Sequence, residues 1–299
     1  MATKDRLEIL STAILENKPL VTELKQIADQ IRVEFGWHYL LDLVWIIQCL
    51  DMDALENILD AGAGVGVIQF YLASKGIDVV SVDRVSRAYL PIHYRKLYQI
   101  AGFTPKDLAS PFKTLFRLSD RKGTLNCIVR DFIRDLVFFL TGKSIVPNSG
   151  KVLLYQQDLK TLKGIEDNSM DAVVAVSALE HNAPEDLPKV VAELMRVLKP
   201  GGKLVATLAT TGNEDQYHEP SSGWTYSATS MKAHFGLDAD TTSNYDQFPA
   251  LFEELRNSSE LKEGLAKFYF QRGEGGMPWG VWDPQYVPVG VCKVKPFAS

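Results

Sequence analysis

Ile58-Leu59-Asp60-Ala61-Gly62-Ala63-Gly64-Val65-Gly66 is the stretch that decides the fold. Its first residues predict an apolar strand that ends at the carboxylate of Asp60 and opens directly into a turn with three alternate glycines. Glycine tolerates positive φ angles and lets a ligand approach the backbone closely. The apolar run after Gly66 predicts a helix, so the turn offers backbone N–H groups at a helix N-terminus. The stretch therefore predicts the site of a nucleotide-like cofactor.

A second strand, predicted from Asp78 to Val82, ends in another carboxylate, Asp83, which lies 21 residues beyond Gly62. That spacing suits an acid that accepts hydrogen bonds from ribose hydroxyls. A dinucleotide fingerprint also needs glycine or alanine three residues after its second glycine. Here that position, three after Gly64, is Val67. The spacing therefore favours a single nucleoside over a dinucleotide.

The pattern Asp-x-Gly-x-Gly-x-Gly at 60–66 resembles the first motif of the class I S-adenosylmethionine-dependent methyltransferases. Two later segments extend the resemblance. A third predicted strand, Lys151 to Gln156, is followed by Asp158, the position at which the family places a carboxylate that meets the adenine amino group. The block from Ser177 to Val205, with Leu-Lys-Pro-Gly-Gly-Lys-Leu before the fifth strand, looks like the family's segment after the fourth strand. The resemblance covers roughly Leu55 to Thr210.

The resemblance implies S-adenosyl-L-methionine as the cofactor and an α/β fold: a Rossmann-like seven-stranded sheet with helices on both faces. It also implies an antiparallel last strand, for which 266–271 and 288–294 look like the sixth and seventh strands. Residues 1–54 are expected to form an N-terminal helical cover, and 55–299 the methyltransferase domain. The cofactor-binding positions carried over are Asp60, Gly62, Gly64, Gly66, Asp83, Arg84, Asp158, Leu159 and Ser177.

Composition fits one large α/β domain, because 299 residues with 46% hydrophobic content can bury a substantial core. The formal net charge of −5 argues against a protein that binds nucleic acid over its whole surface. The three cysteines, Cys49, Cys127 and Cys292, have no metal-ligand spacing and indicate a reducing compartment. With neither a secretory signal pattern nor a long apolar run, we expect a cytoplasmic protein.

More than 60 residues separate the second and third predicted strands, where the family usually needs one helix. We expect a helical insertion there, at about 85–150. Residues 84–143 carry 12 Lys or Arg and 4 Asp or Glu, a net charge of 12 − 4 = +8, so the remainder carries −5 − 8 = −13. The apolar residues of this insertion recur at helical intervals and predict amphipathic helices.

Three roles stay open for the basic insertion: a lid over an apolar or anionic acceptor, a membrane-surface element, or a dimer contact. Its position near the carboxyl ends of the strands favours the lid. Membrane-surface contact would need an exposed apolar face. The sequence leaves the oligomeric state open.

His181 directly follows the fourth predicted strand and is the candidate general base, because a neutral imidazole accepts protons near neutral pH. Tyr217, His218 and Tyr226 are weaker alternatives. The aromatic run at 35–39 either closes over the cofactor or belongs to the core, with His38 expected to be structural. No ligand set at metal-binding spacing is apparent, so no metal is expected.

The sequence thus favours methyl transfer to an oxygen, nitrogen or carbon atom of a small molecule, with in-line attack on the cofactor methyl group. The alternatives are aminopropyl transfer and a noncatalytic S-adenosylmethionine-binding module. Aminopropyl transfer calls for paired acids around a cationic acceptor, whereas the insertion is basic. Nucleic-acid methylation has only the charge of the insertion in its favour.

Overall fold

A computed structural model of the chain describes residues 4–117, 125–141, 145–212, 214–264, 277 and 281–297. The side chains of 125–128 and 131 are outside the description. The strands are β1 (Arg6–Ile9), β2 (Asn57–Ala61), β3 (Asp78–Asp83), β4 (Gln99–Gly102), β5 (Lys151–Gln156), β6 (Met170–Val176), β7 (Leu198–Thr210), β8 (Gln216–His218), β9 (Gly223–Thr225) and β10 (Val287–Val294).

The helices alternate with these strands and carry apolar residues at helical spacing on their buried sides. They are α1 (Lys18–Ile31), α2 (Tyr39–Cys49), α3 (Val67–Ser74), α4 (Ile92–Leu97), α5 (Pro111–Phe116), α6 (Leu125–Leu140), α7 (Leu187–Val197), α8 (Ala228–Phe235), α9 (Phe248–Arg256) and α10 (Ser259–Glu263). Within the described residues, no helix is both long and apolar enough to cross a membrane.

The strands form one mixed sheet in the order β1-β10-β7-β6-β2-β3-β5-β4, with the short pair β8 and β9 attached to β7. β2 lies at the centre and pairs in parallel with both β3 and β6. β10 runs antiparallel to β7, which confirms the predicted antiparallel last strand. Because β2, β3, β5 and β6 are parallel, their carboxyl ends share one edge of the sheet. That edge carries the glycine turn and the acids predicted from the sequence.

The N-terminal region differs from the expected all-helical cover, because β1 adds a strand to the sheet edge beside β10. The alternation Arg6-Leu7-Glu8-Ile9 explains this: Leu7 and Ile9 are buried, as expected for one face of a strand. The predicted sixth strand at 266–271 lies outside the described residues.

The insertion between β3 and β5 is helical in α4, α5 and α6, as predicted. It also contributes β4, which pairs in parallel with β5 at the sheet edge and was not predicted. The segment Gln99-Ile100-Ala101-Gly102 is short and carries only two apolar side chains, so its local strand signal is weak. The sheet is therefore wider than seven strands.

The helix α2 packs on β7 and β10 and joins the N-terminal region to the core. Trp45 of this helix lies flat against the backbone of β10 at Gly290, where an added Cβ would come within 2.5 Å of the indole ring. Trp45 is buried, so the ring has little room to move. Gly290 is therefore required by close packing.

Gly290→Ala is expected to lower the free energy of unfolding by about 2 kcal/mol, because overpacking outweighs the gain of about 0.5–1 kcal/mol from replacing glycine in a strand. Urea unfolding of the variant measures the loss. The matched control is the same substitution in a Trp45→Leu background, where the clash is relieved and the loss should shrink. Equal losses in the two backgrounds would show that Trp45 is not the cause.

Candidate active site

A chamber of about 320 Å³ opens at the carboxyl ends of β2, β3, β5 and β6. It lies where the chain crosses from one side of β2 to the other, the usual position of a ligand crevice in an open α/β sheet. Each of the four strands contributes the residues that follow it. The lining includes Gly62, Asp83, Arg84, Asp158, Leu159, Lys160, His181 and Asp186.

The glycine turn is fixed to the neighbouring strand by its own backbone. The N–H groups of Gly62 and Ala63 donate to the carbonyl of Val82 at 2.9 and 3.0 Å. Gly62 has a φ of +75°, and an added Cβ there would lie 2.5 Å from the Cβ of Ala178. Both the backbone angle and the close approach of the segment after β6 therefore require glycine at position 62.

Asp83 ties the end of β3 to the glycine turn. One carboxylate oxygen accepts the N–H of Gly64 at 2.8 Å, and the other accepts the N–H of Val85 at 2.7 Å. A carboxylate oxygen can accept more than one hydrogen bond, so each keeps acceptor capacity. Asp83 is half-buried and lines the chamber. Its free acceptor positions suit the vicinal hydroxyls of a ribose.

Arg87 supports the same turn from below and was missed by the sequence analysis. Its guanidinium donates to the carbonyl of Gly64 at 2.9 Å and also to the hydroxyl and carbonyl of Ser81. Ser81 in turn donates to Gln69, whose amide donates to the carbonyl of Gly66 at 3.1 Å. This network of Gln69, Ser81 and Arg87 fixes the shape of the turn. No local sequence pattern predicts the network.

Asp60 is the last but one residue of β2, beneath the turn, and is 1% exposed. Its Oδ2 atom is buried without a hydrogen-bond partner among the described residues. Burial raises the pKa of this carboxyl to about 7, against the opposing effect of the Arg87 cation. An unpartnered buried carboxyl is costly and is satisfied when a cationic donor arrives. Asp60 therefore has the properties of a ligand for an ammonium group.

Asp158 and Leu159 follow β5 on the far wall of the chamber. The side chain of Asp158 accepts the N–H of Lys160 at 2.8 Å, and Lys160 forms an ion pair with Asp186 at 3.1 Å. Asp158 is exposed, so its carboxylate remains accessible to a ligand. Leu159 is buried and adds an apolar surface suited to a planar ring.

A second chamber, of about 330 Å³, adjoins the first and shares Gly62, Ala178 and His181 with it. One wall is the glycine turn with Asp60, and the other is the aromatic and aliphatic segment that precedes and begins α2. The lining includes Val33, Phe35, Tyr39, Leu43, Gly64, Gly66, Val176 and Ser177. The predicted aromatic run thus divides: Phe35 and Tyr39 line the chamber, whereas Trp37 lies in the core.

His181 stands at the junction of the two chambers. Its Nδ1 atom is 2.9 Å from the carbonyl oxygen of Ser222. A carbonyl only accepts, so Nδ1 carries the proton of a neutral imidazole and Nε2 holds the lone pair. The preceding residue, Glu180, is buried and accepts the Ser177 hydroxyl at 2.5 Å, and burial raises its pKa. His181 is the imidazole that these two chambers share.

The weaker base candidates lie elsewhere. His218 is held through both ring nitrogens, to Ser221 at 2.7 Å and to Gln285 at 2.9 Å. Tyr226 is fully buried, and burial raises its pKa well above the usual range. None of the three alternatives contributes to the described lining of either chamber.

His38 has a structural setting. Its Nδ1 atom is 2.7 Å from the buried carboxylate of Asp42, and its Nε2 atom is 3.3 Å from the hydroxyl of Tyr286. The contacts tie α2 to the segment before β10. Among the residues that the structure describes, no cluster of three or more His, Cys, Asp or Glu is arranged to hold a metal ion.

The chain matches a family model described as a methyltransferase domain over residues 139–206, from the end of α6 to within β7. Over these residues the match agrees with the methyltransferase resemblance found in the sequence. The matched segment contains Asp158, Ser177 and His181, which line the two chambers. The comparison with curated proteins yields no match.

Solved structures that resemble this chain include the cyclase SpnF, with 16% identity over 99% of this chain and 100% of that one, at a TM-score of 0.47. Phosphoethanolamine N-methyltransferase 2 of Haemonchus contortus, solved with S-adenosyl-L-methionine, has 16% identity over 95% of this chain and 60% of that one, at a TM-score of 0.45. The PH0226 protein of Pyrococcus horikoshii OT3 has 20% identity, at a TM-score of 0.33; the match spans 57% of this chain and about half, 54%, of that protein.

The residues of the two chambers fit the S-adenosylmethionine expected from the sequence: Gly62 leaves space, Asp83 has free acceptor positions, and Asp60 lacks a partner. The structure brings all ten predicted site residues onto the two chambers. The first is lined by Gly62, Asp83, Arg84, Asp158, Leu159 and His181, and the second by Asp60, Gly62, Gly64, Gly66, Ser177 and His181.

Asp60 is expected to make the ligand-free protein less stable as the pH rises. Its pKa is about 7 when folded against the usual 3.8, so the folded state binds more protons between those values. Stability then falls from about pH 4 to pH 7, by up to about 4 kcal/mol for a shift of this size. Urea unfolding across that range tests it, with Asp60→Asn as the control that lacks the titration. Parallel curves for the two proteins would contradict the assignment.

Arg87→Ala is expected to weaken cofactor binding by roughly 10- to 100-fold and to lower the free energy of unfolding by about 1–3 kcal/mol, because it leaves the carbonyl of Gly64 and the hydroxyl of Ser81 without their donor. Calorimetric titration and urea unfolding measure the two effects. The matched control is Arg130→Ala, an exposed arginine of α6 that lines neither chamber. A stability loss for Arg87→Ala with unchanged cofactor affinity would show that the network does not shape the site.

Proposed function

We propose that this enzyme methylates a small, largely apolar acceptor bound in the second chamber, with His181 as the general base. The observation that carries the proposal is the position of His181 at the junction of the two chambers, with its proton fixed on Nδ1 by Ser222. The reaction would take place in the cytoplasm, in keeping with the free thiols of Cys49 and Cys292.

The first chamber would hold the adenosine part of the cofactor. Asp83 would accept hydrogen bonds from the ribose hydroxyls, and Asp158 with Leu159 would contact the adenine ring. Asp60 would accept the ammonium group where the glycine turn meets the second chamber, since its Oδ2 is buried without a partner. This arrangement directs the reactive end of the cofactor toward the junction at His181.

S-adenosylmethionine supplies an electrophilic methyl group on its sulfonium sulfur. The chain's own contribution is chiefly to orient the acceptor against it, and well-oriented reactants can lower a barrier by about 7 kcal/mol or more. The lone pair on Nε2 of His181 would take the proton that an acceptor O–H or N–H group loses. Phe35 and Tyr39 would exclude water from the acceptor end of the second chamber.

Phe35, Leu43, Val65 and Val176 make much of the second chamber apolar, which favours an apolar acceptor. Nucleic acid is disfavoured as a substrate because the chain outside residues 84–143 carries a net charge of −13. Aminopropyl transfer and cofactor binding without turnover remain the alternatives that the experiment must separate.

Calorimetry with S-adenosylmethionine tests the cofactor site. Wild type is expected to bind saturably, and Asp83→Ala to lose roughly 100-fold in affinity because the ribose hydroxyls and the Gly64 N–H lose their acceptor. Decarboxylated S-adenosylmethionine is titrated beside it, and its tighter binding would favour aminopropyl transfer. Failure of the folded wild type to bind S-adenosylmethionine would contradict the cofactor assignment.

His181→Gln tests the general base. We expect kcat for a panel of hydroxyl and amine acceptors to fall by about 100-fold, with S-adenosylmethionine affinity unchanged, since a positioned base contributes about 10²- to 10⁴-fold. Release of S-adenosylhomocysteine measures turnover, and His218→Gln is the matched control outside the chambers. Unchanged kcat in His181→Gln would remove its role as base. Binding without turnover across the panel would favour the noncatalytic module.

A further inference from the structure

The helical insertion presents an apolar surface to solvent. The side chains of Phe112 and Phe116 on α5 point outward together, with ring centroids 4.7 Å apart. On α6 four of the five exposed apolar residues recur every three or four positions and follow one side of the helix, and the fifth, Phe139, lies beside them. We name these six the insertion face: Phe112, Phe116, Val129, Ile133, Val137 and Leu140.

The two helices make this face continuous, because the ring of Phe116 lies 6.1 Å from that of Phe132 on α6. Exposure is substantial: 61% for Phe112, 54% for Ile133 and 72% for Leu140. Scattered apolar side chains at a surface are ordinary, but a contiguous set marks an interaction site. The insertion face therefore needs an occupant.

The opposite side of α6 is fixed to the body of the protein. The ring of Phe138 lies beneath two cations, Arg32 at 5.6 Å and Lys96 at 5.0 Å, and its centroid is 6.5 Å from the ring of His93. These contacts dock α6 against α4 and the end of α1. Its docked side and its exposed side are therefore distinct, and the insertion face is a stable feature of the surface.

The face does not form part of the site described above. In the part of the chain that the structure describes, neither chamber is lined by any residue from 86 to 150. The lid predicted from the sequence stays a prediction. An external partner could cover the outward apolar side chains without any rearrangement of α5 and α6.

The positive charge around the insertion face indicates which kind of partner could cover it. Lys113 and Arg117 on and beside α5 and Arg130 and Arg134 on α6 lie next to the apolar side chains in sequence, and residues 84–143 carry +8 in all. A two-fold dimer would place the same basic segment of each copy opposite itself, which is repulsive. An anionic membrane surface matches both features, because it accepts apolar side chains and attracts cations.

We propose that the insertion face docks this enzyme on anionic membrane surfaces, with Phe112, Ile133 and Leu140 entering the interface and Arg130 facing the lipid headgroups. The docking is peripheral and leaves the two chambers intact. It does not depend on which acceptor is methylated, so it can hold or fail separately from the proposed function.

Co-sedimentation with vesicles tests the proposal on the full chain. The probes are phosphatidylcholine vesicles, alone and with about 30% phosphatidylserine. We expect the protein to bind the anionic vesicles roughly tenfold more tightly than the vesicles of phosphatidylcholine alone. Added salt should release it, because salt screens the attraction between the basic residues and the lipid headgroups. Ile133→Ser/Leu140→Ser and, separately, Arg130→Glu should each weaken binding by roughly tenfold.

Two control variants lie outside the insertion: Val281→Ser, which removes another exposed apolar side chain, and Lys262→Glu, which reverses an exposed charge on α10. Both should bind anionic vesicles like wild type. Unchanged S-adenosylmethionine affinity in every variant shows that each is folded.

Three results would overturn the proposal. The wild type could remain in the supernatant with both kinds of vesicle. Lys262→Glu could weaken binding as much as Arg130→Glu, which would reduce the effect to overall charge. Sedimentation velocity without lipid could reveal a dimer that Ile133→Ser/Leu140→Ser dissociates, which would assign the face to self-association.

Discussion

The glycine turn after β2 depends on two hydrogen bonds to a single residue: the N–H of Gly64 donates to Asp83, and its carbonyl accepts from Arg87. Both partners come from the end of β3 or just beyond it, so the pairing of β2 with β3 and the shape of the turn are set together. A turn held on both sides presents its free backbone groups in one arrangement before any ligand binds. Preorganisation of this kind lowers the ordering cost of binding. The two chambers of this protein meet at this turn.

The same arrangement leaves a buried carboxyl oxygen without a hydrogen-bond partner beneath the site. Gln69, Ser81 and Arg87 satisfy one another and the backbone of the turn, whereas Asp60 beside them keeps an oxygen without a partner. Burial of that carboxyl costs stability in the ligand-free protein, and a cationic ligand offsets the cost. In the proposed site, affinity for a cationic ligand and stability without it would be opposed at this one residue. The contrast explains why a buried carboxyl is tolerated at the end of a central strand.

Much of this site could be predicted from the sequence because its signals are local. The glycines at 62, 64 and 66 and the acids at 60, 83 and 158 each follow an apolar strand, and parallel strands bring such positions to one edge. The rest depends on contacts distant in sequence. The proton position on His181 is set by Ser222, 41 residues later, and β1 pairs with residues near the other end of the chain. Arg87 shows no periodicity or motif that separates it from Arg84. The outward direction of the insertion face likewise depends on how α6 docks.

A crystal structure of the protein with S-adenosylhomocysteine tests the central claim most directly. The account predicts both ribose hydroxyls within hydrogen-bond distance of the Asp83 carboxylate and the ammonium group of the ligand against Asp60. The turn should superpose on its ligand-free shape, with Arg87 still bound to the carbonyl of Gly64. A ligand bound away from the glycine turn, or a turn that rearranges and releases Arg87 on binding, would contradict the claim that this network shapes the site in advance.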